Sequence, residues 1–388
     1  MPYCKICNSN NCKIKEHSFI LGKTLNIKEF SGSTPPEIFV GRWNYPNVYT
    51  GILSPNEYGD THLLSSPEAW YEKSLSISDI LSQRQKLIYA RTSQHIKKQN
   101  SKFLSVFHEV AMTHKSIATE FKLKRPIVKN EEQASNSPLI SKAGEIESAK
   151  LQENAPVKPK IDYLVNDHAL KSKDAIVEMD KSNIATSSII KILSAGLLGI
   201  KKNRKLVPTK WSITAVDDVV SKEKLKRIKQ YQELSEILVF NAEYVGNHYE
   251  FVLLPGIFSF EVIEISMKNL GVWQDYESFF PRKTYADDVT GAYYVNRLAL
   301  TEYLEKTKRQ CQCLVLREVR PEYNVPLGVG ILRETSRAAF SKSPEKFNSL
   351  QEAFARVQTR LRLPLEKWIS KSIILKNYGK QKRLSQFF

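Results

Sequence analysis

The chain has 388 residues, of which 41% are hydrophobic and 26% are charged. This composition is typical of a globular protein, and it excludes both a disordered chain and a small disulfide scaffold. The formal net charge of +17, with basic residues concentrated in residues 201–210 and 222–229, favours a polyanionic partner such as DNA. An ordinary solvated basic face is the alternative.

The N-terminus contains a cluster of candidate metal ligands, spaced Cys-x2-Cys-x4-Cys-x4-His. The cluster consists of Cys4, Cys7, Cys12 and His17. Four nitrogen and sulfur ligands this close together can close a tetrahedral site without a surrounding core, which predicts a knuckle at residues 1–17 with structural zinc as its cofactor. A redox Cys-x-x-Cys pair is the alternative. By contrast, Cys311 and Cys313 alternate in CQCLVLREV, which predicts one face of a packed strand.

No segment of the sequence predicts a membrane partner. The longest apolar stretch, residues 189–200, contains Lys191 and is too short to span a bilayer. The first residues, MPYCKICNSN, lack the apolar core of a signal peptide. We therefore expect an intracellular protein, cytoplasmic and associated with the nucleoid.

The remaining patterns predict an α+β fold with mixed or antiparallel sheets and packed helices. Residues 18–125 are expected to form an N-terminal α+β region, in which residues 76–119 have helical periodicity. Residues 126–160 contain few aromatics and four prolines, which predicts a linker or an extended arm. We expect a C-terminal α+β region over residues 161–366 and a flexible basic tail over residues 367–388.

Local signals within the C-terminal region predict individual elements. Gly246-Asn247 predicts a hairpin between two strands. Helices are expected over residues 293–306 and 345–361. The segments CQCLVLREV and LGVGILRE are expected to form a strand pair, with a ladder of salt bridges between their Arg-Glu pairs.

The last eight residues, QKRLSQFF, fit a pattern of Gln, an aliphatic residue and two terminal aromatics. In one helical turn, Leu384, Phe387 and Phe388 share one side as an apolar plug, while Gln381 reaches a separate polar pocket. This pattern is typical of peptides that bind the DNA sliding clamp PCNA, which is therefore the predicted partner. Docking of the tail onto its own chain is the alternative.

Two further segments combine turn-forming, basic and aromatic residues. One is the loop SGSTPP at residues 31–36 followed by GRWNYP, and the other is RKLVPTKWS followed by Asp217. We predict that they converge on one pocket for a phosphate-bearing ligand, with Arg and Lys binding phosphate, Trp stacking, and Asp binding a metal or ribose. The candidate residues are Arg42, Trp43, Lys205, Thr209, Lys210 and Asp218. A purely structural turn and helix start are the alternative.

Enzyme signatures are absent: the sequence has no GxxxxGK[ST], no GxGxxG after a strand and no GxSxG. His108-Glu109 resembles the start of a zincin motif. The next histidine, His114, is six residues further on, so it lies on another helix face. Catalytic residues therefore remain unknown, and the sequence does not decide whether the protein is an enzyme.

The Cys cluster, the terminal peptide and the segments SGSTPPEIFVGRWNYPNVYTGIL, RKLVPTKWSITAVDD and REVRPEYNVPLGV together resemble the archaeal Nre family of DNA repair proteins, NreA type. The resemblance implies a DNA damage response factor recruited by PCNA, with a metal cluster in which His17 stands where a fourth cysteine is usual. It implies no particular reaction. We expect a repair factor that binds DNA and PCNA. The alternative is a metal-dependent nuclease or nucleotide phosphoesterase that uses Mg²⁺ or another divalent metal near Asp217 and Asp218.

Overall fold

The computed structural model describes residues 26–98, 101–127 and 142–380. The chain divides into two compact units. Unit 1 comprises the residues up to Val220 together with Asn324–Gly330, and unit 2 comprises Ser221–Tyr323 together with the residues from Ile331 onward. Both units combine helices with a sheet, which confirms the predicted α+β class. Two sets of predicted residues lie outside the described ranges: Cys4, Cys7, Cys12 and His17, and Gln381, Leu384, Phe387 and Phe388.

Unit 1 contains a six-stranded mixed sheet. Its strands are β1 (Glu29–Thr34), β2 (Ile38–Val40), β3 (Asn47–Ser54), β4 (Ile88–His95), β5 (Ile117–Leu123) and β6 (Lys142–Leu151). Across the sheet they follow the order β1-β5-β6-β4-β3-β2. The β4–β6 pair is parallel and the other pairs are antiparallel.

Helices lie between and after these strands along the chain. They are α1 (Pro67–Glu72), α2 (Ile77–Arg84), α3 (Lys102–Met112), α4 (Pro159–Asn166), α5 (Ser172–Lys181), α6 (Thr186–Ser194) and α7 (Thr209–Ile228). Helix α2 begins with a capping box, because the Ser76 hydroxyl accepts the Asp79 N–H and the Asp79 carboxylate accepts the Ser76 N–H. Among the described residues, no helix is long and apolar enough to cross a membrane.

Two sequence predictions for unit 1 differ from the structure. The predicted helical region 76–119 also contains all of β4, and the predicted linker 126–160 contains β6. In β6 only Ile146 is buried, so its apolar pattern is weak. The strand is stabilised instead by backbone pairing to β5 on one side and to β4 on the other. Such pairing depends on distant segments, and local composition does not reveal it.

The predicted phosphate loop at residues 31–36 is also wrong, because Ser31–Thr34 lie within β1 and pair with β5. Gly32 lies against the backbone of a neighbouring segment. A Cβ atom at this position would stand 2.5 Å from the carbonyl oxygens of both Pro55 and Glu57. This glycine therefore permits close packing of two backbones and does not expose N–H groups to a ligand.

Unit 2 contains a second six-stranded sheet. Unit 2 has eight strands among the described residues, six of which form this sheet. They are β7 (Gln232–Glu233), β8 (Ile237–Tyr244), β9 (Asn247–Leu254), β10 (Ser259–Ser266), β11 (Val272–Glu277), β12 (Arg309–Gln310), β13 (Gln312–Val319) and β14 (Glu345–Phe347). The large sheet has the order β11-β10-β13-β9-β8-β14, with β10–β13 as its parallel pair, and β12 pairs separately with β7. The predicted hairpin is confirmed between β8 and β9, where Val245 and Gly246 have positive φ.

The remaining helices are α8 (Gly291–Thr307), α9 (Val329–Phe340), α10 (Leu350–Gln358), α11 (Glu366–Ile369) and α12 (Ile373–Asn377). Helix α8 confirms the predicted helix over residues 293–306. The prediction of a strand for LGVGILRE is wrong, because this segment begins α9. The predicted helix over residues 345–361 is only partly right, since β14 precedes α10. Cys313 on β13 and Cys311, one position before that strand, are both fully buried, as the alternating pattern predicts.

One apolar cluster joins the sheet of unit 2 to its last three helices, with Phe354 and Trp368 among its members. A buried carboxylate, Glu261 on β10, fixes the start of α12. It accepts the Ser372 hydroxyl at 2.6 Å, the Ile373 N–H at 2.7 Å and the Ile374 N–H at 3.0 Å. The segment that precedes the C-terminal peptide is therefore attached to the core of unit 2. The prediction of a flexible tail beginning at residue 367 is wrong for α11 and α12, because Trp368 and Ile374 are buried in the apolar cluster.

Buried and partly buried arginines in unit 2 are paired with carboxylates. Arg360 donates to both oxygens of the fully buried Glu250, each at 2.8 Å. Arg317 binds Glu264 at 2.5 Å. The predicted ladder of salt bridges between Arg317-Glu318 and Arg333-Glu334 is therefore wrong. Arg333 and Glu334 lie on α9, and Arg317 pairs instead with Glu264 on the neighbouring strand β10. A buried charge without a partner would be costly, which explains why these side chains occur in pairs.

Candidate nucleic-acid interface

The loop between β2 and β3 meets the first turn of α7. The backbone N–H of Val40, the last residue of β2, donates to the Thr209 hydroxyl at 2.9 Å. That hydroxyl also shares a hydrogen bond of 3.0 Å with Ser194 at the end of α6. Beyond Val40, the Gly41 N–H donates to the Tyr49 carbonyl at 2.7 Å, which closes the loop onto β3. Thr209 therefore fixes the position of the loop that carries Arg42 and Trp43.

The end of β4 connects the same loop to the segment before α7. The Ile96 N–H donates to the Pro46 carbonyl at 3.0 Å, and the Ile96 carbonyl accepts the Leu206 N–H at 2.9 Å. Three segments that are distant in sequence, residues 41–49, 88–98 and 201–211, are thus joined by backbone hydrogen bonds within unit 1.

Four large aromatic side chains on these segments are exposed to solvent. Their exposed fractions are 58% for Trp43, 43% for Tyr45, 42% for Tyr49 and 44% for Trp211. The Tyr45 and Trp211 rings lie 5.2 Å apart between centroids and are tilted relative to each other by 54°. Exposed apolar area of this size within one small region is typical of a binding surface.

Cationic groups lie directly beside these rings. The guanidinium carbon of Arg42 is 4.6 Å from the centre of the Trp43 ring, and that of Arg91 is 4.2 Å from the centre of the Tyr49 ring. Partial burial, together with the nearby Arg42, lowers the pKa of Lys210. We call the combined set the aromatic–basic surface; it comprises Arg42, Trp43, Tyr45, Tyr49, Arg91, Lys210 and Trp211.

The three joined segments contain no Asp or Glu. Their basic residues are Arg42, Arg91, Lys97, Lys98, Lys201, Lys202, Arg204, Lys205 and Lys210. Lys97, Lys98, Lys205 and Lys210 are exposed. Because no acid within these segments offsets them, the positive potential of this region favours a polyanion.

The structure places four of the six predicted ligand-binding residues together, namely Arg42, Trp43, Thr209 and Lys210. Lys205 is exposed one position before Leu206, whose N–H donates to Ile96 in the same group of segments. Asp218 lies nine positions after Thr209 on α7, which is roughly 13 Å further along the helix axis. It is therefore too far along α7 to share one phosphate with Thr209.

Asp217 and Asp218 do not form a paired carboxylate site. Asp217 is fully buried, whereas Asp218 is half-buried. Consecutive residues on a helix point about 100° apart, so these two carboxylates face different directions. Within residues 26–98, 101–127 and 142–380, no group of three or more His, Cys, Asp or Glu side chains is arranged to hold a metal ion.

Sequence reasoning did not select four members of the aromatic–basic surface, namely Tyr45, Tyr49, Arg91 and Trp211. Tyr45 and Trp211 lie within the two predicted segments, so their aromatic side chains could have been recognised from the sequence as candidate stacking residues. Tyr49 and Arg91 belong to β3 and β4, which pair antiparallel with Gly51 opposite Arg91. This pairing brings Arg91 to Tyr49, and only the strand register reveals it.

A separate cleft of about 490 Å³ lies between α3 and the end of β6. Its charged lining residues are Lys102 and Lys150 together with Glu109 and Glu153. The two signs of charge offset each other, so this cleft lacks the positive character of the aromatic–basic surface.

Comparison with known proteins places the chain in a family. The family model described as "Archaeal Nre, N-terminal" matches residues 6–274, and "Archaeal Nre, C-terminal" matches residues 277–387. No solved structure gives a significant match. Three similar proteins are the DNA repair proteins NreB and NreA of Archaeoglobus fulgidus and NreA of Haloferax volcanii.

The two Archaeoglobus proteins are 34% and 32% identical to this chain, respectively. The NreB alignment covers 93% of this chain and 92% of its relative, and the NreA alignment covers 92% and 91%. The Haloferax protein is 32% identical, with coverage of 82% and 80%. These matches extend over both structural units, and the chain belongs to the archaeal Nre family.

Proposed function

We propose that this protein is a DNA repair factor that binds DNA through the aromatic–basic surface and is recruited by PCNA through its C-terminal peptide. The names of its relatives, DNA repair proteins NreA and NreB, support the repair role. The observation that carries the DNA contact is the joining of three basic segments that contain no acid.

DNA binding at this surface begins with phosphate contacts. Arg42 offers a planar guanidinium that can donate two parallel hydrogen bonds to one phosphate. Lys210, whose pKa is lowered by burial and by Arg42, lies close enough to Arg42 to interact with it. Two neighbouring like charges repel each other, and a bound phosphate would relieve that repulsion. The exposed lysines around them would extend the contact along the backbone of the DNA.

The DNA contact can be tested by fluorescence anisotropy with labelled DNA at several salt concentrations. The double variant Arg42→Ala/Lys210→Ala should bind more weakly, and its affinity should depend less steeply on salt because fewer phosphates are neutralised. Lys124→Ala is the matched control, since Lys124 is an exposed lysine of unit 1 that pairs with Glu145 at 2.6 Å. Equal affinities for the double variant and the control would contradict the proposal.

The clamp contact rests on the sequence of residues 381–388, which contain Gln381, Leu384, Phe387 and Phe388. These residues follow α12, which is attached to the core of unit 2. Deletion of the last eight residues should abolish PCNA binding without changing the melting temperature, since a terminal peptide contributes little to a core. Leu384→Ala/Phe387→Ala should act like the deletion, whereas Lys382→Ala should retain most of the binding. Unchanged PCNA affinity after the deletion would refute this contact.

The metal site rests on the spacing of Cys4, Cys7, Cys12 and His17. Thiolate and imidazole ligands in this number fit a tetrahedral structural zinc ion. Elemental analysis of the purified protein should find one zinc per chain, and Cys7→Ser should lose it. Cys311→Ser is the matched control, because Cys311 is a free cysteine buried in unit 2. A metal-free wild-type protein, purified without chelators, would refute the site.

We propose no reaction. The alternative of a metal-dependent nuclease or phosphoesterase relied on Asp217 and Asp218, which face different directions on α7. Incubation with labelled DNA and free nucleotides, in the presence of a panel of divalent metals, is the direct test for such an activity. Cleavage that is lost in Asp218→Asn would reinstate the alternative.

A further inference from the structure

The aromatic part of the aromatic–basic surface has no role in a contact with duplex phosphates alone. Phosphates are bound by cations and hydrogen-bond donors, and duplex bases are already stacked on one another. Nevertheless, each of the four aromatic rings leaves more than two-fifths of its area in water. Exposed aromatic area of this kind carries a cost in solubility unless a ligand covers it.

Two of the rings each lie beside an arginine, an arrangement that suits unpaired nucleotides. Arg42 accompanies Trp43, and Arg91 accompanies Tyr49, at distances typical of cation–π contacts. The Trp43 ring can therefore stack with a base while the Arg42 guanidinium binds the adjoining phosphate, whereas Arg91 is buried and supports the Tyr49 ring from within unit 1. The rings of Tyr45 and Trp211 form an aromatic–aromatic pair and are tilted rather than stacked on each other, so neither ring covers the face of the other by parallel stacking.

The rings are also held in place by a rigid support. Tyr49 lies on β3, whose register with β4 is fixed over eight residue pairs from Asn47↔His95 to Ser54↔Ile88. Trp43 and Tyr45 lie on a loop fixed at one end by the hydrogen bond from Val40 to Thr209 and at the other by the bond from Ile96 to Pro46. Preorganised aromatic groups lose little conformational entropy when a base stacks on them.

We propose that the aromatic–basic surface binds single-stranded DNA by stacking unpaired bases on Trp43, Tyr49 and the Tyr45–Trp211 pair. This inference rests on the proposed DNA contact and specifies its substrate as DNA with unpaired bases, such as a gap, a flap or a resected end. The basic residues supply affinity that is independent of sequence, and the rings supply the preference for single strands.

The experiment compares four labelled ligands of equal length with the full-length protein: single-stranded DNA, an abasic single strand, duplex DNA and single-stranded RNA. The abasic strand keeps the phosphates and removes the bases, so it separates stacking from charge. Single-stranded DNA should bind at least about tenfold more tightly than the abasic strand, as expected for stacking of one or more bases. Duplex DNA should also bind more weakly.

Substitutions show which side chains stack with the bases. Trp43→Leu should lower the affinity for single-stranded DNA by roughly tenfold while leaving that for the abasic strand unchanged. Tyr163→Leu is the matched control, because Tyr163 is a 66% exposed aromatic of unit 1 outside the aromatic–basic surface. Binding should also quench tryptophan fluorescence, and Trp43→Leu should reduce this quenching. Trp70 and Trp368 are fully buried, so they are shielded from a bound base.

The outcomes distinguish this inference from the proposed function. Equal affinity for all DNA ligands, with a loss only in Arg42→Ala/Lys210→Ala, would overturn base stacking and leave the DNA contact intact. Tighter binding of RNA than of single-stranded DNA would overturn the assignment of DNA as the ligand. No binding of any ligand would overturn both the DNA contact and the inference.

Discussion

Two regions of the molecule use the same basic side chains in opposite ways. In unit 2, Arg317 is buried and Arg360 is partly buried, and each donates to a carboxylate from another element. In unit 1, Arg42 and Lys210 lie on segments that contain no acid, beside aromatic rings that face solvent. Arginine content alone therefore does not locate a binding surface. The discriminating feature is whether a carboxylate accompanies the cation.

This difference follows from the cost of burial. Glu250 is fully buried, and its charge is tolerated because Arg360 donates to both of its oxygens. At the aromatic–basic surface, water solvates the cations until a ligand replaces it. Variants of unit 2 should therefore affect the free energy of unfolding, whereas variants of the aromatic–basic surface should affect DNA binding.

The largest expected effect is that of Arg360→Met. This substitution leaves the buried Glu250 without its bidentate partner and should lower the free energy of unfolding by about 3–5 kcal/mol. Urea denaturation measures the change. A loss of DNA affinity with unchanged stability would contradict the contrast between the two units.

The next effect is that of Arg42→Ala on DNA binding. Loss of charged hydrogen bonds to phosphate should weaken binding by about 1–3 kcal/mol, with little change in stability. Anisotropy titrations measure the affinity, and urea denaturation of the same protein serves as the control. If the free energy of unfolding falls while the affinity for DNA is unchanged, Arg42 stabilises the fold, as Arg360 does in unit 2, and does not bind DNA.

Thr209→Val should have a smaller effect on both properties. The substitution preserves shape but removes the acceptor for the Val40 N–H, so we expect a loss of about 1 kcal/mol in the free energy of unfolding. Because the loop that carries Trp43 is then less well fixed, affinity for DNA should fall as well. Thr209→Ser keeps the hydroxyl and should restore both properties, and failure of this rescue would argue against a positioning role.

The smallest effect concerns pH. Burial and Arg42 lower the pKa of Lys210, so this side chain loses its positive charge at a lower pH than an ordinary lysine. The charged form binds phosphate, so DNA affinity should decline as pH rises toward the ordinary lysine pKa of about 10.4, and the decline should begin below that value. Lys210→Arg stays charged over this range and should show a shallower decline. Identical pH profiles for the two proteins would show that Lys210 does not contact the DNA.

Features set by neighbouring residues could be predicted from the sequence. The capping box at Ser76 and Asp79 and the hairpin turn at Val245 and Gly246 depend on a few adjacent positions. Strand β6 could not be predicted, because its partners are distant and only one of its side chains is buried.

The candidate site divides in the same way. The sequence predicted that its segments could bind a phosphate-bearing ligand, because Arg42 and Trp43 lie in a motif rich in turn-forming, aromatic and basic residues. The sequence also predicted that the two segments converge, but it did not reveal the contact that joins them, a hydrogen bond between Val40 and Thr209, which are separated by 169 positions. The position of Asp218 away from the aromatic–basic surface likewise follows from the uninterrupted course of α7.

The carboxylate of Glu261 has a consequence for the reach of the C-terminal peptide. Because it holds the start of α12, the chain is attached to the core of unit 2 up to that helix. Only Tyr378, Gly379 and Lys380 separate Asn377 from Gln381, and three extended residues span at most about 10 Å. A clamp that takes the peptide would therefore be held on a short tether, at a high effective concentration relative to unit 2.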